Sequence, residues 1–178
     1  GKKFVGAYDK HILEDAWTVG GNITYYMPFG ASSNTYLSFD YFRTQFAQQM
    51  VVDYEHYKNV IDFYALDGKR SYTDNFQVDF SVDPIERFNI TATFRYTNAR
   101  IELEGRGLVE KPMTSQYKGV LNLQYATNLN RWIFDFTASV NGPCRVYDFM
   151  KDMDGIKMKN GKYYSPVYPL LYAQVTRR

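Results

Sequence analysis

Residues that could perform catalysis or bind a metal are few and poorly spaced in this sequence. The two histidines, His11 and His56, have no nucleophile at an informative spacing, so we interpret them as solvated loop residues. Asp152, Asp154 and Gly155 resemble part of a calcium-binding loop, but the third acidic position and the distal glutamate are missing. We therefore expect no catalytic site, no metal site and no cofactor, and we expect that the protein is not an enzyme.

Cysteine and charge exclude further classes of function. The single cysteine, Cys144, excludes an internal disulfide and a cysteine-based zinc site. Gly105-Arg106-Gly107 is too short to cradle a phosphate, and it lacks the strand and helix that such a loop connects. The net charge is +2, with no basic stretch beyond Arg177-Arg178, so we expect no nucleic-acid partner.

Binding by aromatic side chains is better supported than catalysis. Aromatic residues make up 18% of the sequence, with 17 tyrosines and 13 phenylalanines. A long connector carries Tyr54, His56 and Tyr57, with Tyr64 and Tyr72 nearby, and these five residues are the candidates for part of a ligand-facing aromatic mouth. The interpretation that we favour is that the tyrosines brace the rim of the fold.

The elements that must position these residues are β-strands, because apolar and polar residues alternate with a period of two. The alternation is complete over residues 76–83 and again over 88–97. The sequence therefore predicts an all-β fold, an antiparallel up-and-down meander of about seven strands. We place these strands at residues 16–28, 35–54, 74–83, 88–97, 116–127, 131–141 and 168–178.

The connectors between these strands alternate strictly between short and long. The short connectors are 29–34, 84–87 and 128–130, and the long ones are 55–73, 98–115 and 142–167. A membrane barrel with brief turns on one side and extended loops on the other produces this alternation directly. A soluble sandwich with Greek-key crossovers gives no reason for it.

The two faces of the predicted sheet differ in a way that favours a membrane. One face carries a heavy load of large aromatics, Phe80, Phe94 and Phe136 among them, which crowds the interior of a small barrel but not an outer surface in lipid. The other face is polar, and we predict that it faces the lumen of a large transmembrane β-barrel. Its predicted lumen-facing residues are Asp79, Arg95, Asn122, Gln124 and Asp135. A soluble β-barrel or β-sandwich binding module is the alternative, and an extracytoplasmic adhesin or assembly protein is a third.

Several stretches of the chain are similar to the late barrel region of TonB-dependent outer-membrane receptors. They are residues 13–22 (LEDAWTVGGN), 36–43 (YLSFDYFR), 63–69 leading into 75–78, 94–99 (FRYTNA), 111–113 with 117–119, and 171–177 (LYAQVTR). The motifs are short, and their order along nearly the whole chain carries the resemblance.

The resemblance implies a receptor for high-affinity nutrient uptake in the outer membrane. The implied nutrient is a small molecule such as a ferric siderophore, haem, cobalamin or a glycan, and uptake is driven through TonB. The family's plug domain, energy-coupling box and closing strand are not found in this sequence, so we expect residues 1–178 to be a partial barrel. The implied partners are outer-membrane lipid, the plug, the remaining barrel strands and TonB.

Overall fold

The structure, a computed structural model, describes residues 3–5, 13–31, 35–57 and 60–177, with side chains described at 13–31, 35–55 and 60–177. The fold is all-β, and two short 3₁₀ turns lie at Asn128–Asn130 and Asp148–Met150. The strands are β1 (Lys3–Val5), β2 (Asp15–Met27), β3 (Thr35–Gln48), β4 (Met50–Tyr57), β5 (Val60–Ala65), β6 (Ser71–Ile85), β7 (Phe88–Leu103), β8 (Gly107–Glu110), β9 (Tyr117–Ala126), β10 (Trp132–Asn141), β11 (Lys157–Lys159), β12 (Lys162–Tyr164) and β13 (Tyr168–Arg177).

Seven long strands form one antiparallel sheet in meander order, as the alternation predicted. The order across the sheet is β2-β3-β6-β7-β9-β10-β13, and β8 adds a short hairpin arm to β7. Each of the seven overlaps a strand predicted from the sequence. β6 and β7 are longer than predicted, because they continue past the apolar face into the region of the long connectors.

One predicted strand is wrong in its extent. The strand predicted over 35–54 ends at Gln48, and β4 begins at Met50 in a separate sheet with the order β1-β5-β4. The break falls at the buried Gln49, whose side-chain oxygen accepts a hydrogen bond from Ser71 Oγ at 3.0 Å. The Leu66 N–H donates to the backbone oxygen of Gln49 at 2.9 Å, which directs the chain out of the main sheet.

The connectors divide the sheet into two ends. The short connections, from β2 to β3, β6 to β7 and β9 to β10, join strands at one end, which we call the turn end. The long connections, from β3 to β6, β7 to β9 and β10 to β13, join strands at the other, the loop end. Tight reversal at the turn end requires left-handed backbone, and Arg87 (φ 67°), Leu129 (φ 58°) and Asn130 (φ 51°) adopt it. Short and long connectors thus alternate strictly between the strands of the folded chain.

The buried core lies at the loop end and not between two layers of the main sheet. Val51, Leu66, Ile101 and Leu103 form the core cluster, with Phe46, Tyr64 and Val109 packed against it. We call the three long connectors, with the strand ends they cover, the loop-end cap.

The two edge strands of the sheet run in the same direction. Among the described residues β2 pairs only with β3 and β13 pairs only with β10, so the sheet is open. Both edge strands run from the loop end to the turn end, because an odd number of antiparallel strands lies between and including them. No helix in the described part of the chain has the length and apolar character needed to cross a membrane.

Candidate functional site

The apolar side chains of the meander form a continuous band on one face of the sheet. Phe39, Val78 and Phe94 are neighbours in register across β3, β6 and β7, and Phe80 and Leu121 occupy the next row. Phe94 is 49% exposed and Phe136, on β10, is 40% exposed, and the described part of the chain places no second layer over this face. From Phe88 to Tyr96 along β7 the band extends for about 26 Å at ~3.3 Å per residue.

Tyrosine and tryptophan border the band at both ends, while phenylalanine and aliphatic residues fill its middle. The border residues are Tyr25, Tyr125 and Trp132 towards the turn end, and Trp17, Tyr41, Tyr96 and Tyr117 towards the loop end. Rings with an apolar body and a polar tip are typical of the boundary between hydrocarbon and water.

Beyond this border the same face becomes polar at the loop end. Asp74 is buried; it accepts hydrogen bonds from the Tyr41 hydroxyl at 3.0 Å and from Arg43 Nη1 at 3.3 Å. The Arg43 guanidinium lies 4.5 Å from the centre of the Tyr72 ring. Tyr72, predicted from the sequence to face a ligand, therefore lies on the side of the apolar band and in contact with Arg43.

The opposite face of the sheet carries a ladder of hydrogen-bonded polar side chains, with a few exposed apolar or aromatic residues such as Tyr26, Val120 and Leu170 among them. It contains all five residues predicted to face a lumen. Arg95 donates through Nε and Nη2 to Gln77 Oε1 at 2.8 and 2.6 Å. Asp79 accepts from Thr93 Oγ1 at 2.6 Å and from Gln77 Nε2 at 2.7 Å. These bonds connect β6 and β7 across the polar face.

A second group of polar side chains connects β9 and β10. Asn122 Nδ2 donates to Asp135 Oδ1 and to Thr137 Oγ1, both at 2.9 Å, and Gln124 Nε2 donates to Asp135 Oδ2 at 3.3 Å. In the described part of the chain every buried side-chain nitrogen and oxygen has a hydrogen-bond partner. A face built in this way is suited to contact with water or with another polar surface.

Four charged side chains from three separate connectors meet in the loop-end cap. Asp53 and Glu55 of β4 both bind Arg106, and the Glu55 contact is 2.6 Å. Glu55 also binds Arg145 at 3.0 Å, and both of these side chains are only 6% exposed. Arg145 Nε donates to the backbone oxygen of Glu110 at 3.0 Å. The two acidic and two basic groups balance, and together they join residues that lie far apart in the sequence.

Burial and these charges shift the pKa values of the groups involved. Burial alone raises the pKa of Asp53, but the hydrogen bond and charge of Arg106, with the Glu55 N–H, outweigh it and leave that pKa lowered. Burial raises the pKa of Tyr147, and the neighbouring Tyr54 and Glu55 add to the effect. At neutral pH the carboxylate of Asp53 is therefore ionised and Tyr147 keeps its proton.

An aromatic stack lies beside this charge cluster. The ring centres of Tyr54 and Tyr147 are 4.9 Å apart, and the Phe149 ring stacks on Tyr147 at 5.4 Å with an angle of 8° between the planes. A cavity of about 240 Å³ opens here; its lining includes Val51, Asp53, Tyr54, Ile101, Lys111 and Tyr147. Such a mixture of apolar walls and a few charged groups is typical of a small-molecule site.

The five residues of the predicted aromatic mouth are not all brought together. Tyr54 lines the cavity, whereas Tyr64 braces the cap: its hydroxyl donates to Asp53 Oδ2 at 3.3 Å and accepts from the Glu104 N–H at 3.3 Å. The side chains of His56 and Tyr57 lie outside the described residues. Sequence reasoning missed Tyr147 and Phe149; an aromatic pair inside a long polar connector was the one available signal.

The described residues contain no group of three or more histidine, cysteine, aspartate or glutamate side chains able to hold a metal ion. Asp152, Asp154 and Gly155 lie in an exposed turn after the second 3₁₀ turn.

Comparisons with models of known protein families, with curated proteins and with solved structures found no match to this chain.

Proposed function

We propose that this chain forms seven strands of the barrel of a TonB-dependent outer-membrane receptor, which captures and imports a scarce small-molecule nutrient. One observation carries the proposal: the sheet has an uncovered apolar band, bordered by tyrosine and tryptophan, opposite a hydrogen-bonded polar face. The resemblance of the sequence to this receptor family supplies the particular class of barrel.

The two faces of the sheet require different surroundings. In water an apolar surface spread over seven strands is unfavourable at ~25 cal/mol per Å² and marks a site of association. In a bilayer the same surface contacts hydrocarbon, and the bordering tyrosines and tryptophans lie at the headgroups. The polar face then encloses water or the receptor's plug. A soluble module would need a second layer over the apolar band.

The direction of the edge strands supports completion by further strands of the intact receptor. A bilayer does not tolerate open sheet edges, so β2 and β13 need partners there. Because these two strands run in the same direction, they cannot close on each other antiparallel. If copies of the chain were related by rotation about the membrane normal, β13 of one copy and β2 of the next would also run parallel. An odd number of additional strands closes the barrel with antiparallel pairs throughout, which makes the total even.

The loop-end cap is the part of this chain that we propose contacts the nutrient. Barrel loops on one side of a membrane are extended, and the cavity beside Tyr54 and Tyr147 lies among these long connectors. In this proposal the intact receptor binds its ligand from outside, and TonB drives import past the plug. The resemblance alone suggests the four ligand classes of siderophore, haem, cobalamin and glycan.

The orientation of the apolar face is testable with tryptophan fluorescence. The chain has two tryptophans, Trp17 and Trp132, and replacing both with phenylalanine removes the background. In that background Phe94→Trp places a reporter on the apolar band, and Thr93→Trp places one on the polar face of the same strand. In micelles of a brominated detergent, we expect strong quenching at position 94 and little at position 93. Aqueous acrylamide should give the opposite order.

Other results would refute the membrane orientation. Equal quenching at the two positions would contradict it, as would a monomer in plain buffer in which position 94 is shielded from both quenchers. The second outcome would support the soluble binding module. The TonB-dependent step has its own test in the source cell, where loss of the intact protein and loss of TonB should abolish uptake of the same nutrient.

A further inference from the structure

A second cavity lies on the polar face, apart from the loop-end cap. It has a volume of about 420 Å³ and is lined by Asp40 and Phe42 of β3, Asn75 and Gln77 of β6, and Arg95 of β7. We call this group the Phe42 site. It includes two of the hydrogen-bonded residues described above, and Phe42 adds an aromatic ring to them.

Phe42 is held in place by a glycine on the neighbouring strand. Gly20 is paired with Phe42 across β2 and β3, and a Cβ at Gly20 would lie 2.3 Å from Phe42 Cδ1. The ring therefore packs over the backbone of Gly20, in space that only glycine leaves free. Even so, the ring of Phe42 remains 43% exposed, and the polar side chains of Asp40, Asn75 and Arg95 surround it. The glycine explains the position of the ring, but it does not explain why an aromatic ring is presented there.

The polar residues around the ring are each oriented by a neighbour. Arg95 is fixed by its two bonds to Gln77, Asp40 Oδ1 accepts from Asn22 Nδ2 at 2.7 Å, and Asn75 Oδ1 accepts from Thr97 Oγ1 at 2.9 Å. Each also keeps a group with no partner among the described residues. These groups are Asp40 Oδ2 as an acceptor, and Asn75 Nδ2 and Arg95 Nη1 as donors.

This arrangement matches the chemistry of a sugar ring. A pyranose has an apolar C–H face that stacks on an aromatic ring, and its hydroxyl groups both donate and accept hydrogen bonds at the rim. A carboxylate, an amide and a guanidinium fixed around a phenyl ring supply the complementary partners. The single negative charge of Asp40 balances the single positive charge of Arg95, which favours a neutral ligand over a phosphorylated or acidic one.

We propose that the Phe42 site binds a neutral sugar unit, so that the nutrient passing along the polar face is an oligosaccharide. This inference names the substrate class of the proposed uptake and in that respect rests on the proposed function. Sugar binding at the Phe42 site can nevertheless be measured separately from membrane orientation.

The test uses the full chain in a detergent without a sugar headgroup, such as lauryldimethylamine oxide. Binding of neutral tetrasaccharides of glucose, xylose, mannose and galactose is measured by calorimetry and by saturation-transfer NMR. We expect at least one of them to bind with a Kd tighter than ~10 mM. Phe42→Ala should weaken that binding at least tenfold, about 1.4 kcal/mol. Phe42→Trp should retain it.

Phe39→Ala is the matched control. Phe39 is on the same strand, is 48% exposed and lies on the opposite face, so its loss should leave sugar binding unchanged. Circular dichroism verifies that each variant retains its strands. Failure of all four tetrasaccharides to bind would overturn the inference, as would Phe42→Ala binding as tightly as the unaltered chain, or equal losses in the two alanine variants. Sugar binding without quenching by the brominated detergent at position 94 would refute the membrane proposal and support the sugar site. Quenching at position 94 without sugar binding would refute the sugar site and support the membrane proposal.

Discussion

Replacing Arg145 with alanine should open the loop-end cap while leaving the seven-stranded sheet folded. Arg145 and its partner Glu55 are both almost fully buried, and three N–O contacts of 3.0–3.2 Å join them. The substitution leaves Glu55 with Arg106 as its remaining cationic partner, in a site from which water is largely excluded. It also removes the hydrogen bond to the backbone oxygen of Glu110.

The expected loss is large relative to what holds the cap together. Removing one partner of a buried ion pair typically costs ~3–5 kcal/mol. The cap core has four buried apolar residues, Val51, Leu66, Ile101 and Leu103, each contributing ~1.5–3 kcal/mol before conformational entropy is subtracted. Since ~1.4 kcal/mol corresponds to a tenfold change in an equilibrium, amide exchange in the cap should accelerate by roughly two to three and a half orders of magnitude.

Hydrogen–deuterium exchange with mass spectrometry measures this locally. Peptides covering 49–55 and 107–111 report on the cap, and peptides covering 76–82 and 90–96 report on the sheet. Arg70→Ala is the control, because the side chain of Arg70 is 66% exposed and solvent screens its ion pair with Glu102. If the cap peptides are equally protected from exchange in the Arg145→Ala and Arg70→Ala variants, the buried ion pair does not hold the cap together. If sheet and cap lose protection together, the cap is not a separate unit.

Three further predictions concern the cap and the polar face. Because the folded pKa of Asp53 is lowered, its ionised form stabilises the cap above the unfolded pKa of ~3.9, and this stabilisation is lost as the pH falls through the folded value. Cap exchange, corrected for intrinsic rates, should therefore rise below pH ~4, and an unchanged profile would contradict the assigned ion pair. Gly20→Val should displace the ring of Phe42 and cost ~1–3 kcal/mol in denaturant unfolding; a variant as stable as the parent would show that the ring does not occupy this space. Tyr147→Ala should lower thermal stability by removing a stack with Phe149 worth ~0.5–1.5 kcal/mol beyond its buried area, and no change would indicate that the stack contributes nothing.

Local patterns in the sequence were sufficient to predict the strands of the main sheet and their two faces. In a strand, successive side chains point to opposite faces, so residues 76–83 reveal both the strand and its two faces without any knowledge of neighbours. The same parity placed Asp79, Arg95 and Asp135 on one face before their partners were known. The register that brings Asn122 to Asp135 depends on how β9 and β10 pair, which alternation alone does not specify.

The loop-end cap could not be predicted in the same way. The predicted strand over 35–54 ran past its true end because Val51 and Val52 are apolar whichever sheet they join, and only the hydrogen bonds of Gln49 show the change of direction. Arg106 and Arg145 attracted no functional prediction. Their partners lie about fifty and ninety residues away, and nothing in the residues between indicates that they meet.

By itself, then, the sequence determined the all-β class, the seven meander strands, the two unlike faces and the alternation of connectors. Each of these follows from interactions between near neighbours along the chain or from the period of a strand. Only the tertiary structure decided which long connectors meet, which aromatic rings line the cap cavity and which glycine leaves room for Phe42. Those contacts depend on strand register and on how distant connectors fold back onto the sheet. They therefore stabilise the protein only after residues far apart in the sequence have come together.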